Sequence, residues 1–344
     1  MNYQKVKEIT EDSGVLLKID HNLGSDDDLD NVRHFIFNPH GKPSIAKEED
    51  FHFDPEAIPD EFSRFKELMR SELGLLIAKF SQYQADGGAD EIGQEMLNEL
   101  RRRHQGALMI TPKLIGRGVL DLNRPKKLAS GDSLFSLPQA VTEDLGRIFD
   151  ISYELVFRVF LTLAAKNLKS VTQPHTMASG GRRQGETVQL SMLASQLRQS
   201  EEGNSEPLYQ NPEIAQALIK LWEEVSTNMN DRRDRPAIDI INAVKPEQAG
   251  KLQNLLDGGI SLRFAQELER IKVPYVFNKP YEYLPEYPGT ELAAHAGHLG
   301  LQQLTIDVPR HLLQSDPRKF YDVLTFQPDR KKVRKIALAI VNSL

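Results

Sequence analysis

Five short stretches carry residue types that could do chemistry. Asp20–His21 ends the apolar run VLLKI. Asp90–Glu91 stands at the head of a helical pattern. Asp121, Asn123 and Arg124 end GVLDLNRP, His175 follows LKSVTQP, and Asp307 interrupts the apolar run LQQLTIDVP. Neutral imidazole is the commonest zinc ligand, and a catalytic zinc uses three protein ligands with a fourth position open to water. His21, His175 and one carboxylate would make such a set. Neither histidine lies in an HExxH helix, and a loop histidine serves equally well as a surface or hydrogen-bonding residue. The Arg124 guanidinium can grip a carboxylate through two parallel hydrogen bonds, and Asn123 adds an amide donor. Its structural alternative is an ion pair with Asp121. A carboxylate in an apolar strand is costly to bury unless it is paired or used. Asp307 is therefore a candidate general base, or else the partner of a basic residue such as Arg310.

Composition limits what these residues can be asked to do. The 344 residues contain no cysteine, which excludes disulfides, thiolate catalysis and Cys-ligated metal. Any metal must be held by His, Asp or Glu. The net charge of −6 offers no broad basic field for nucleic acid or anionic lipid. The basic runs at 101–103 and 330–335 read as solvated helix faces. No apolar run approaches the roughly 18 residues of a membrane span, and the polar N-terminus lacks a signal-peptide core. The expectation is a cytoplasmic protein with a small-molecule substrate and neither nucleic-acid nor membrane partners.

The elements that must position these residues alternate between strand and helix. GVLLKI, ALMIT, GVLDL, AIDIINAV, VPYVFN and LGLQQLTIDVP read as strands. Helical spacing of apolar residues marks 60–83, 89–104 and 141–168, as well as SLRFAQELERI. This order predicts a single α/β domain over 1–344, a three-layer sandwich around a mixed, partly parallel sheet. The polar stretch 180–236 reads as a helical insertion, and 316–344 as C-terminal helices. Ligands in such sheets bind beyond the carboxyl ends of the strands, which is why strand-end residues belong together as a set.

GVLDLNRP resembles the Asp-Leu-Asn-Arg-Pro signature of the N-formylglutamate amidohydrolase family, within the wider zinc carboxypeptidase and aspartoacylase group. Other segments are similar in the same order across residues 12–315. DSGVLLKIDHNLG resembles the family's opening strand and Pro-His-Ser-Gly turn, and GADEIGQEML its Thr-Asp helix start. VTQPHTMAS resembles Asp-x-His-Ser-Met, VPYVFNKPY the Asn-x-Pro-Tyr segment, and LGLQQLTIDVPR the last strand. The resemblance implies a phosphorylase/hydrolase-like fold and hydrolysis of a small N-acyl, formyl-type amino acid with one Zn2+. On these positions His21, Asp90 and His175 would bind the metal, with Glu91 as a rival to Asp90. Asn123 and Arg124 would hold the substrate carboxylate, and Asp307 would stand where the family has its catalytic glutamate.

This chain departs from that pattern at several points. Its opening turn is Asp-His-Asn-Leu-Gly, Gln173-Pro174 replaces the aspartate before the second histidine, and Asp307 is one methylene shorter than glutamate. The changes describe a diverged member. They leave two alternatives: a non-catalytic homologue that binds an amino-acid-like ligand, and a peptidase or amidase acting on a larger substrate.

Overall fold

Runs of β-branched, aromatic and aliphatic residues build the sheet. In the computed structural model, residues 17–23, 29–39, 54–71, 74, 88–112, 122, 139–177, 237–241, 259–277, 288–313 and 328–344 are described. Among them the strands are β1 (Leu17–His21), β2 (Val32–Phe37), β3 (Gly106–Pro112), β4 (Ser170–Met177), β5 (Ile238–Ile241), β6 (Tyr275–Phe277) and β7 (Gln302–Pro309). The helices are α1 (Ser63–Arg70), α2 (Ala89–Arg102), α3 (Gln139–Ala164), α4 (Ile260–Arg270), α5 (Pro288–His298) and α6 (Arg330–Ser343).

The strand order is β1-β3-β2-β4-β7-β5-β6. The four central strands, β3, β2, β4 and β7, are mutually parallel. β1 pairs antiparallel to β3 at one edge, and β5 pairs antiparallel to β7 towards the other. Central parallel strands are covered on both faces, so they read as continuous apolar runs. Phe35–Ile36–Phe37 and Ala107–Ile110 are fully buried in this way.

Alternation along each strand divides the core in two. Phe35, Phe37, Leu108, Ile110 and Val171 pack with α1, α3 and α5 on one face. Ile36, Ala107, Met109, Ile240, Leu304 and Ile306 pack with α2, α4 and α6 on the other. The result is the three-layer α/β sandwich expected from the sequence. The proposed insertion at 180–236 lies outside the described residues. Of the proposed C-terminal helices, α6 is present, and its Asp329 caps it by accepting the Lys331 and Lys332 N–H groups. No described helix is long and apolar enough to cross a membrane.

At the amino ends of the central strands, His34 and Ser170 stand opposite each other and share a 2.8 Å hydrogen bond. Burial disfavours the imidazolium and pushes the His34 pKa from 6.5 to about 4, with nearby Lys169 and Arg33 adding to the effect and Gln105 opposing it. The unfolded chain therefore binds a proton more readily than the folded one between those two values. The corresponding stability is fully present above pH 6.5 and is lost as pH falls towards 4, by about 3 kcal/mol in all. Urea unfolding of His34→Gln across this range is expected to show a flatter acid limb than the parent. An unchanged pH slope would remove His34 as its source.

Candidate active site

Three buried polar side chains stand in line at the carboxyl end of the sheet. The parallel register pairs His175 with Asp307, and the antiparallel register pairs Asp307 with Asp239. Adjacent strands lie about 5 Å apart, so the three Cα atoms form a row about 10 Å long. All three side chains point to the α3/α5 face, because the residues flanking them (Ile306, Val308, Ile238, Ile240) pack on the opposite face. Exposure is 5% for His175, 5% for Asp307 and 0% for Asp239. Gln173 and Thr305 form the next pair on this face, one step deeper, and are also buried.

A lone acid inside an apolar strand is costly, and two placed side by side repel unless a cation or a proton lies between them. Clustered acids with an adjacent imidazole are the arrangement that proton-transfer sites use. Position at a strand end marks Asp307 and His175 in the sequence but does not mark Asp239. Another signal was present in AIDII: a carboxylate flanked by isoleucines.

His21 does not join this row. β1 runs opposite to the central strands, so its carboxyl end lies at their amino end. The registers place His21 level with Leu108, Phe35 and Val171 in turn. His175 is four residues further along and three strands across. Strand geometry then separates the two Cα atoms by about 20 Å. The expectation that His21 and His175 share one ion therefore does not hold, and the reason is strand direction. His21 has a local role instead, its Nδ1 accepting the Leu23 N–H at 3.2 Å. Burial lowers its pKa, and Arg101 adds to the shift.

Asp90 reaches the correct end of the sheet, but over the other face. It opens α2, which packs on Ile36 and Met109: a Cβ added at Gly93 would meet Met109 Sδ at 2.3 Å. The field of Asp90 extends to Lys18 on β1. Burial alone would lower the Lys18 pKa, but its hydrogen bond to Asp20 and the charges of Asp20 and Asp90 outweigh this and raise it. Glu91 follows in the same turn. Asn123 and Arg124 lie outside the described residues. Among the described residues, no three His, Cys, Asp or Glu side chains are arranged to hold a metal ion. The ligand set His21, Asp90 and His175 thus does not fit a zinc ion as it stands.

The sequence supplies another imidazole to consider. β2 lies between β3 and β4 and points its carboxyl end towards the same side as His175. The chain continues from it through Asn38 and Pro39 into His40. His40 itself is outside the described residues; its place in the sequence is two positions beyond a buried Asn38 whose N–H still bonds to Ile110 O at 3.0 Å.

No family model matches this sequence, and no curated protein does. Among solved structures, the chain is similar to the crystal structure of gene product Atu2144 from Agrobacterium tumefaciens, at 12% identity and a TM-score of 0.44, covering 97% of this chain and 98% of that one.

Proposed function

We propose that this protein hydrolyses the amide bond of a small, carboxylate-bearing substrate at the carboxyl ends of β4 and β7 and the adjoining amino end of β5. The observation that carries this reading is the buried His175–Asp307–Asp239 row. Asp307 is the base that removes a proton from the attacking water, and in its protonated form it returns that proton to the departing amine. Asp239, directly opposite, sets a second buried carboxylate beside Asp307 on the same face of the sheet. Arg124, with Asn123, is the proposed clamp for the substrate carboxylate.

The resemblance to zinc hydrolases adds a divalent cation. His175, on the α3/α5 face, has the donor chemistry for it, with His40 as a second imidazole; Asp90 lies over the opposite face and is not among these donors. When bound, such an ion supplies a Lewis acid and an acidified water.

Metal analysis and turnover of an N-acyl amino acid, run side by side on point variants, test this reading. His40→Ala and His175→Ala are expected to lose bound zinc and at least a hundredfold in kcat/KM. His21→Ala is expected to retain both. Zinc and turnover that survive His175→Ala would end the proposal. Turnover that depends on His21 but not on His40 would restore the original ligand set.

A further inference from the structure

A second group of buried polar atoms sits on the other side of the sheet, beneath the first turn of α2. Asn38 is 0% exposed, and neither its Nδ2 nor its Oδ1 has a hydrogen-bond partner. Its side chain follows Ile36 by two residues and so points to the α2 face. Asn38 continues the β2–β3 ladder, which brings it alongside Thr111; that residue is 1% exposed, with Oγ1 also unpartnered. Thr172, level with Ile36 on β4, is in the same condition.

The position of α2 follows from Gly93, which sits over Met109 and Ile36. Moving back one helical turn covers about 5.4 Å, and moving two residues along the strands from Met109 and Ile36 covers about 6.6 Å. Because α2 runs opposite to the strands, both steps arrive at the same place. The first turn therefore lies over Asn38 and Thr111. That turn is entered through Gly88, whose φ is +96° and which offers no side-chain cap. It carries Glu91, whose Oε2 is buried and unpartnered.

Leaving a buried polar group unpaired is costly, and native proteins keep only a few of them. Several gathered at the ligand-binding end of an α/β sheet indicate that something completes their hydrogen bonds. The set has hydroxyl and amide groups that can donate or accept, and the carboxylates of Glu91 and its buried neighbour Asp90 make it net negative, since the nearby Lys18, level with Thr111, is paired with Asp20. Such a set favours a cationic donor over an anion.

We propose that Asn38, Thr111 and Glu91 form a subsite for a primary ammonium group on the substrate. The inference rests on the hydrolase reading above and narrows its substrate class. The amide cleaved would belong to a molecule with a free amine, as in a short peptide or an aminoacyl amide, and not to a simple N-formyl amino acid.

Calorimetric titration with two neutral-backbone probes tests the subsite separately from turnover. Glycinamide carries the amine, and acetamide lacks it. The parent protein is expected to bind glycinamide at least tenfold more tightly than acetamide. Asn38→Leu and Thr111→Val should remove that preference, whereas His175→Ala should keep it. Asn38→Leu should also raise the melting temperature, because it deletes two unpaired buried atoms. Equal binding of the two probes, an undiminished preference in Asn38→Leu, or a lowered melting temperature in that variant would overturn the subsite. Absence of hydrolysis alongside a retained preference would instead sink the hydrolase reading alone.

Discussion

Asp307→Asn is expected to lower kcat by about a thousandfold while leaving KM within a few-fold of the parent. The side chains are nearly the same shape, so packing against α5 and β4 is kept. What is removed is a group able to take up and return a proton, and a positioned acid–base group contributes about 10²–10⁴-fold. The acid limb of the kcat/KM profile against pH should disappear with it, since that limb reports the base in the free enzyme. Asp307→Glu separates chemistry from architecture. It keeps the carboxylate and adds one methylene, so it should retain more activity than asparagine even if the core is strained by the extra volume. If Asp307 were only a structural partner within the row, the asparagine variant would lose stability, and its remaining folded molecules would turn over at the parental rate. A parental kcat together with an unchanged pH profile would refute the assignment.

The fold class was legible because strand and helix runs alternate, and the apolar faces of α2 and α4 follow the helical period closely. β2 was not legible. Arg33 and His34 interrupt its apolar pattern, and Pro39 follows at once, so its six residues merge with the irregular, proline-containing stretch beyond them. The direction of β1 was equally hidden, since five residues pair parallel or antiparallel with no difference in composition. Only the ladder with β3, which places Leu17 opposite Pro112 and His21 opposite Leu108, reveals it. α5 escaped notice because Pro288, Gly289 and the small residues around Ala293 give weak periodicity. His175 and Asp307 were legible as strand-borne polar residues. Their placement side by side depends on a crossover of more than a hundred residues, and local spacing carries no trace of that.

The turn after β1 has a structural role that accounts for its polar sequence without a metal. Asn22 donates from Nδ2 to Leu97 O at 3.0 Å and to Gln105 O at 2.9 Å, and its Oδ1 accepts the Ala107 N–H at 2.8 Å. One buried amide thus fastens the end of the edge strand to the last turn of α2 and the first residues of β3. The junction has little room to rearrange: a Cβ on Gly106 would lie 2.2 Å from Asn31 O. Removing the amide takes away a second hydrogen bond to Leu97 O and the side-chain partners of Gln105 O and the Ala107 N–H in a confined space. At about 1 kcal/mol for each of three hydrogen bonds, Asn22→Ala is expected to destabilise the protein by about 3 kcal/mol. For a chain of this length that corresponds to a melting temperature about 4 °C lower. Thermal and urea unfolding measure the loss, and kcat determined well below the transition should match the parent. The opposite pattern, parental stability with turnover abolished, would place the Asp20–His21–Asn22 end back among the catalytic elements and reverse the orientation of the site argued for here.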